Sequence, residues 1–322
     1  MASATELRLP DQGFGPEGSG LELICGPVRA VVAPALGGQL VRLQYNGVDY
    51  LDNSTPYSAK PGIKAGAPLL FPTPNRTANA RYTYRGKKYH QAVAGQSRVI
   101  HGLVHDQAFS VEGFAANDEW AACTLVYTHG ADKPSFGGYP FPCVLEVTWR
   151  VTAERLKLEY TVRNTGEQTL PFGFAWHPYF PKTDASRIRI TVDATEFYQA
   201  VDCFPTGKRL TVADNPAWDL RGGRSLADLD VDDVYTPITP ATTIRAEYLD
   251  RGVAMNFFGT EDFSHLVVFT PQKKPFFCIE NQTCCTDAIN LHSRELVSTG
   301  LMELGAGESC GGNCGIVFSQ ID

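Results

Sequence analysis

Cys143-Val-Leu-Glu-Val-Thr-Trp-Arg-Val151-Thr-Ala-Glu-Arg155-Leu-Lys-Leu-Glu-Tyr-Thr-Val-Arg163 is the stretch whose reading decides the fold. Leu145, Val147, Trp149 and Val151 alternate with Glu146, Thr148, Arg150 and Thr152. After a short turn at Ala153-Glu154, Leu156, Leu158, Tyr160 and Val162 alternate with Lys157, Glu159, Thr161 and Arg163. Successive strand side chains point to opposite faces, so this period of two predicts an antiparallel hairpin with one buried face.

The same pattern recurs outward in both directions. Val41 to Leu51 reads as a hairpin around Asn46-Gly47, a pair suited to the two positive-φ positions of a type I′ turn. Tyr82 to Tyr89 predicts another, turning at Arg85-Gly86, and Phe109 to Thr128 predicts two strands around Asn117-Asp118. Further strands are expected at Arg187 to Val192, Arg245 to Leu249, Val253 to Phe258 and His265 to Thr270, with the tail Gly315 to Phe318 closing the sheet. Helical periodicity is scarce; Ser225 to Asp233 and Asp287 to Leu296 can each hold one or two turns. The 30 glycines and 21 prolines interrupt anything longer. The expectation is a mostly β chain, with residues 1–20 as a flexible Gly- and Pro-containing segment and 21–322 as one antiparallel β-sandwich domain.

Composition narrows the function. A net charge of -7 with scattered cations gives no basic stripe of the kind a nucleic-acid binder needs. Nine cysteines at irregular spacings, with no C-x-x-C pair, suggest buried free thiols in a reducing compartment and neither zinc nor disulfides. No apolar run of about 18 residues and no basic-then-apolar start is present, so the expectation is a cytoplasmic protein with no membrane span. Asn-x-Ser/Thr triplets at Asn53, Asn75 and Asn281 then carry no glycosylation message.

Four segments read as something other than plain strand. Phe71-Pro-Thr-Pro-Asn-Arg76-Thr-Ala-Asn-Ala-Arg81 is a loop, whose Arg76 can fork onto sugar hydroxyls or merely cap loop carbonyls. Ile100-His101-Gly-Leu-Val-His105-Asp106 spaces two histidines by four, but Gly102 and the β-rich surroundings disfavour a helix, and no H-E-x-x-H occurs. Pro171-Phe-Gly-Phe-Ala-Trp-His177-Pro-Tyr-Phe180 sets one histidine among aromatics, either a core histidine or one wall of a sugar-accepting cleft. In Pro275-Phe-Phe-Cys-Ile-Glu280-Asn-Gln-Thr-Cys-Cys-Thr-Asp287-Ala-Ile-Asn290, Glu280 leaves an apolar run that reads as a buried strand. A carboxylate there needs a partner or a task. No G-x-S-x-G, P-loop or G-x-G-x-x-G after a strand accompanies these residues. The set suits proton transfer on a neutral polyol.

Together these segments resemble the aldose 1-epimerase (galactose mutarotase) family. Pro74-Asn75-Arg76 before a short hairpin is similar to its arginine loop, and His101-Gly102 to its H-G element. Trp176-His177-Pro178-Tyr179-Phe180 resembles its H-P-Y-F motif, and Glu280-Asn-Gln-Thr with Asp287-Ala288-Ile289-Asn290 its E-x-x-T…D-A-x-N motif. Asp232-Asp233-Val234-Tyr235 sits where the family places a substrate-binding aspartate, Asp232 being preferred, and Gly300-Leu301 through Gly307-Glu308-Ser309 resembles its closing strands. Cys284-Cys285-Thr286 departs from the family pattern, which often carries Pro there. The resemblance implies a β-supersandwich without cofactor or metal that acts on a small-molecule sugar as a monomer or homodimer. It implies Glu280 as the base at the C1 hydroxyl and His177 as the acid at the ring oxygen. His101 would help stabilise the ring oxygen or the developing aldehyde, and Arg76, Asn75, Asp232 and Trp176 would bind substrate. Free carboxyl and imidazole values of about 4.3 and about 6.5 fit those roles, with a nearby carboxylate raising the histidine further. Rival readings are a hexose 6-phosphate mutarotase, a non-catalytic sugar-binding protein on the same scaffold, and a two-carboxylate glycosidase.

Overall fold

The computed structural model describes residues 1–8, 19–52, 66–91, 99–295 and 298–321. Residues 9–18 of the N-terminal segment, the Asn53 triplet and Leu296 lie outside the described residues.

The deciding stretch forms the strands Cys143–Val151 and Arg155–Asn164, paired Val151 to Leu156 and Leu145 to Val162. Leu145, Val147, Trp149, Val151, Leu156, Leu158, Tyr160 and Val162 are all buried, so the alternation is the core face. Around this hairpin grows a nine-stranded antiparallel sheet in the order Ser110–Ala116, Ala121–His129, Cys143–Val151, Arg155–Asn164, Ser309–Gln320, Val253–Gly259, Ile244–Tyr248, Ile188–Val192, Arg224–Ser225. A second sheet runs Phe204–Thr211, Glu196–Val201, Asp232–Thr236, His265–Phe269, Phe276–Gln282, Ala175–Trp176, Leu69–Leu70, and Tyr179–Pro181 pairs the far end of Phe276–Gln282. The inner faces of the two sheets share one apolar core, which also takes in the small N-terminal sheet of Ser19–Cys25, Val28–Ala33 and Gln39–Tyr45. The supersandwich expectation holds. Among the described residues no helix is long and apolar enough to cross a membrane.

Ser3–Arg8, within the segment expected to be flexible, pairs antiparallel with Ser19–Cys25, and Ala4 rests against the core. The tail strand expected at Gly315 to Phe318 is present as part of Ser309–Gln320, in the middle of the sheet between Arg155–Asn164 and Val253–Gly259. A Cβ at Gly315 would sit 2.1 Å from the Leu156 carbonyl oxygen, so glycine permits that close approach. Ser225 to Asp233 holds one turn, a 3-10 turn at Leu226–Asp228, before Asp232 begins a strand. The helix expected after Asp287 is present as Ala288–Ser293. All nine thiols are free, and all but Cys203 and Cys310 are buried.

Candidate active site

Strand register assembles the site. Along Phe276–Gln282, Cys278, Glu280 and Gln282 share one face, while Phe277 and Ile279 enter the core. Ala175 pairs with Gln282 and Tyr179 with Cys278, so the intervening His177 comes opposite Glu280. His177 Nε2 lies 3.2 Å from Glu280 Oε1, with both side chains buried. The His177 ring stacks on Tyr179, with centroids 4.5 Å apart and planes within 11°. Pro178 has no N–H to give the ladder, and the His177 N–H turns instead to the Pro68 carbonyl.

Register also chooses between the two aspartates. Asp232 pairs with Phe269, which pairs with Cys278, so Asp232 shares the Glu280 face. Asp233 points the other way and accepts a hydrogen bond from Trp218 Nε1 at 2.8 Å. Arg76 Nη2 reaches to 4.0 Å from Asp232 Oδ2, and the Cys203 thiol donates to the same oxygen at 3.4 Å. Asn75, Arg76, Tyr198, Cys203, Asp232 and Thr286 line this part of the cleft.

The loop residues are fixed by backbone conformations that bulky residues avoid. Asn75 and His101 have φ of 57° and 69°, and the His101 N–H donates to the Asn75 carbonyl at 2.7 Å. Gly102 follows at φ 77°, where a Cβ would lie 2.2 Å from the Phe71 carbonyl oxygen. That turn sets the His101 ring edge-on to His177, centroids 5.0 Å apart.

Glu280, His177, His101, Arg76, Asn75 and Asp232 therefore converge. Trp176 does not join them. Strand alternation that aims His177 at the cleft aims Trp176 at the core, where it meets Trp149 edge-to-face at 5.9 Å. Two residues of the site were not singled out by sequence. Gln282 donates to Glu280 Oε2 at 2.9 Å and accepts from Asn75 Nδ2 at 3.1 Å, tying the arginine loop to the carboxyl. Cys278 lies on the same face two residues before Glu280. Period two counted back and forward from Glu280 would have found both. Asp287 and Asn290 act behind the site: the Asp287 N–H donates to the Arg76 carbonyl, and Asp287 Oδ1 accepts from Ala78 N–H and from Asn290 Nδ2.

Burial sets the protonation. It pushes Glu280 well above the usual carboxyl range, helped by the nearby Asp232 charge, and lowers His177 to about 3. The expectation that a neighbouring carboxylate raises the histidine is thus corrected: desolvation opposes it and wins. His101 is lowered well below the usual value by burial and by His177, so its ring is neutral near neutrality. Glu280 and His177 lie 3.2 Å apart, so a proton can pass directly between the carboxyl and the imidazole. His177 Nε2, a Glu280 oxygen and Cys278 Sγ also lie within 4.8 Å of one another, a set able to hold a metal ion.

The profile of the aldose 1-epimerase family matches residues 23–310. The chain belongs to the aldose 1-epimerase family. A related stretch of 138 residues is 30% identical in the uncharacterised YphB of Escherichia coli K12, spanning 40% of this chain and 44% of YphB. The fold is similar to that of a galactose mutarotase-like protein from Clostridium acetobutylicum, at TM-score 0.85, 19% identity and 99% coverage of both chains. It is also similar to a galactose 1-epimerase from Lactobacillus acidophilus, at TM-score 0.75, 14% identity, and coverage of 100% of this chain and 99% of that one.

Proposed function

We propose that the protein is a mutarotase that interconverts the α and β anomers of a free aldose. The observation that carries this reading is the buried Glu280–His177 pair at 3.2 Å, flanked by His101 and by the Arg76–Asp232 rim. Anomerisation removes a proton from O1 and delivers one to the ring oxygen, then reverses both on reclosure. A pair that shares one proton is suited to that exchange. Glu280 takes the O1 proton as His177 protonates the ring oxygen, the C1–O5 bond breaks, and the C1 aldehyde rotates before O5 attacks its other face. The neutral His101 ring donates a hydrogen bond near the ring oxygen. Arg76, Asn75 and Asp232 hold hydroxyls, and Gln282 orients the carboxyl through its 2.9 Å bond.

A free sugar fits better than its 6-phosphate. Among the described residues lining this part of the cleft Arg76 is the sole cation, and Asp232 already faces it. The test is polarimetry of freshly dissolved α-glucose and α-galactose, with glucose 6-phosphate alongside. Accelerated decay of rotation with the free sugars supports the reading. A larger kcat/KM for glucose 6-phosphate than for every free aldose replaces the substrate. Sugar binding with no acceleration at all returns the chain to a sugar-binding role.

A further inference from the structure

We propose that His177 Nε2, Glu280 Oε1 and Cys278 Sγ form a binding site for a divalent cation of the zinc class, and that occupancy switches off the proton relay. The binding part stands on geometry alone; the switching part rests on the mutarotase reading. The strand Phe276–Gln282 projects Cys278 and Glu280 from one face, and His177 meets them across the ladder, so three donors of different type point to one spot. All three side chains are buried, and their ligand atoms lie within 4.8 Å of one another.

The distances suit the ion. A tetrahedral zinc with Zn–N and Zn–O of about 2.0–2.1 Å needs the two atoms about 3.3 Å apart. His177 Nε2 and Glu280 Oε1 are 3.2 Å apart. A thiolate at about 2.3 Å from the ion must come within about 3.5 Å of each. The sulfur, within 4.8 Å, therefore has to close by no more than about 1.3 Å, within reach of a side-chain rotation. Imidazole, carboxylate and thiolate together favour zinc over magnesium or calcium, which take oxygen ligands. Three protein ligands leave the fourth position for water.

The supporting contacts are already built. Gln282 Nε2 holds Glu280 Oε2 at 2.9 Å and leaves Oε1 to the cleft, the outer-shell arrangement that orients a ligating carboxylate. Stacking on Tyr179 fixes the His177 ring. Binding would expel the thiol proton and the proton shared by Glu280 and His177 to solvent. The ion then occupies the lone pairs that catalysis uses, so zinc binding and turnover exclude each other.

The full-length chain, freed of metal, is titrated with Co²⁺ by absorption and with Zn²⁺ by calorimetry, for wild type, Cys278→Ala and Cys278→Ser. Thermal melts check that each variant is folded. The wild type should bind one ion and show a thiolate-to-cobalt charge-transfer band. Both variants should lose the band and at least about tenfold in Zn²⁺ affinity, as even outer-shell losses cost 10–100-fold. Zn²⁺ should also stop mutarotation reversibly on adding a chelator, with the Cys278→Ala midpoint shifted upward by the same factor. An unchanged band and affinity in both variants, or no stoichiometric binding by wild type, overturns the proposal. Should the chain prove inactive on every sugar without metal, the mutarotase reading fails by itself, and the cobalt band still decides the site.

Discussion

Glu280→Gln isolates the proton transfer from the packing. The residue is 1% exposed, and glutamine has almost the same volume. Its amide oxygen can accept the 2.9 Å bond from Gln282 Nε2, and its NH₂ can donate to the neutral imidazole of His177 3.2 Å away. The substitution leaves neither of the partners of Glu280 unpaired, so the fold should persist. Only the exchange of a proton is lost. A positioned acid–base group contributes roughly 10²–10⁴-fold, which at about 1.4 kcal/mol per decade is about 3–6 kcal/mol of barrier. Polarimetry should show kcat reduced by that factor, while calorimetry shows sugar affinity within a few-fold of wild type. Stability supplies an independent check. Burial raises the Glu280 carboxyl above its ordinary 4.5, so the wild type loses stability as pH climbs from that value through the raised one. Glutamine has nothing to ionise, so the variant's melting temperature should gain on wild type as pH rises. A Glu280→Gln protein with near wild-type kcat refutes the base assignment, and one that gains no relative stability with pH refutes the raised carboxyl.

Other consequences are equally direct. Because His177 is lowered to about 3 and Glu280 is raised, the one-proton pair persists across a wide window. The acid limb of the kcat/KM profile should therefore lie below the free carboxyl value of about 4.3, near the lowered histidine; an acid limb at about 4.3 or above would contradict it. His177→Asn should lower kcat as much as Glu280→Gln, and the double variant should be little worse than the worse single one, since both act on one event. Arg76→Ala should raise KM with kcat nearly unchanged, because its contacts to hydroxyls are the same in the ground and transition states; an equal fall in kcat would place Arg76 in the chemistry. Trp176→Ala should cost about 3–5 kcal/mol of stability by emptying the core beside Trp149, read as the midpoint of urea unfolding, with KM of the folded fraction unchanged.

The hairpin Cys143 to Arg163 was legible because one face is buried and the other is wet, which writes burial into the sequence as alternation. Ser309–Gln320 was legible only from Gly315 to Phe318. Its first half carries Gly311 and Gly312, which have no side chain to mark a face, and the same close approach that demands glycine erases the signal. Trp176 was misplaced for a related reason. A motif reports which residues are adjacent in sequence, and adjacent residues on a strand face opposite ways. The face became known only through the pairs Ala175 to Gln282 and Tyr179 to Cys278. That register likewise separates Asp232 from Asp233 and brings in Gln282 and Cys278.

Residue types alone place a base and an acid at their free values, an ionised carboxylate facing a histidine ready to be charged. Inside the fold neither charge is favoured, because water is excluded from both. What the geometry supplies instead is two groups 3.2 Å apart, between which a proton can pass. An anomerase must work on both anomers, and a proton that can pass between the two groups serves either direction. The same withdrawal from water leaves lone pairs on imidazole, carboxyl and thiol facing one another. A divalent cation would satisfy them more completely than a single proton does, so the burial that gathers the proposed relay also suits it to zinc.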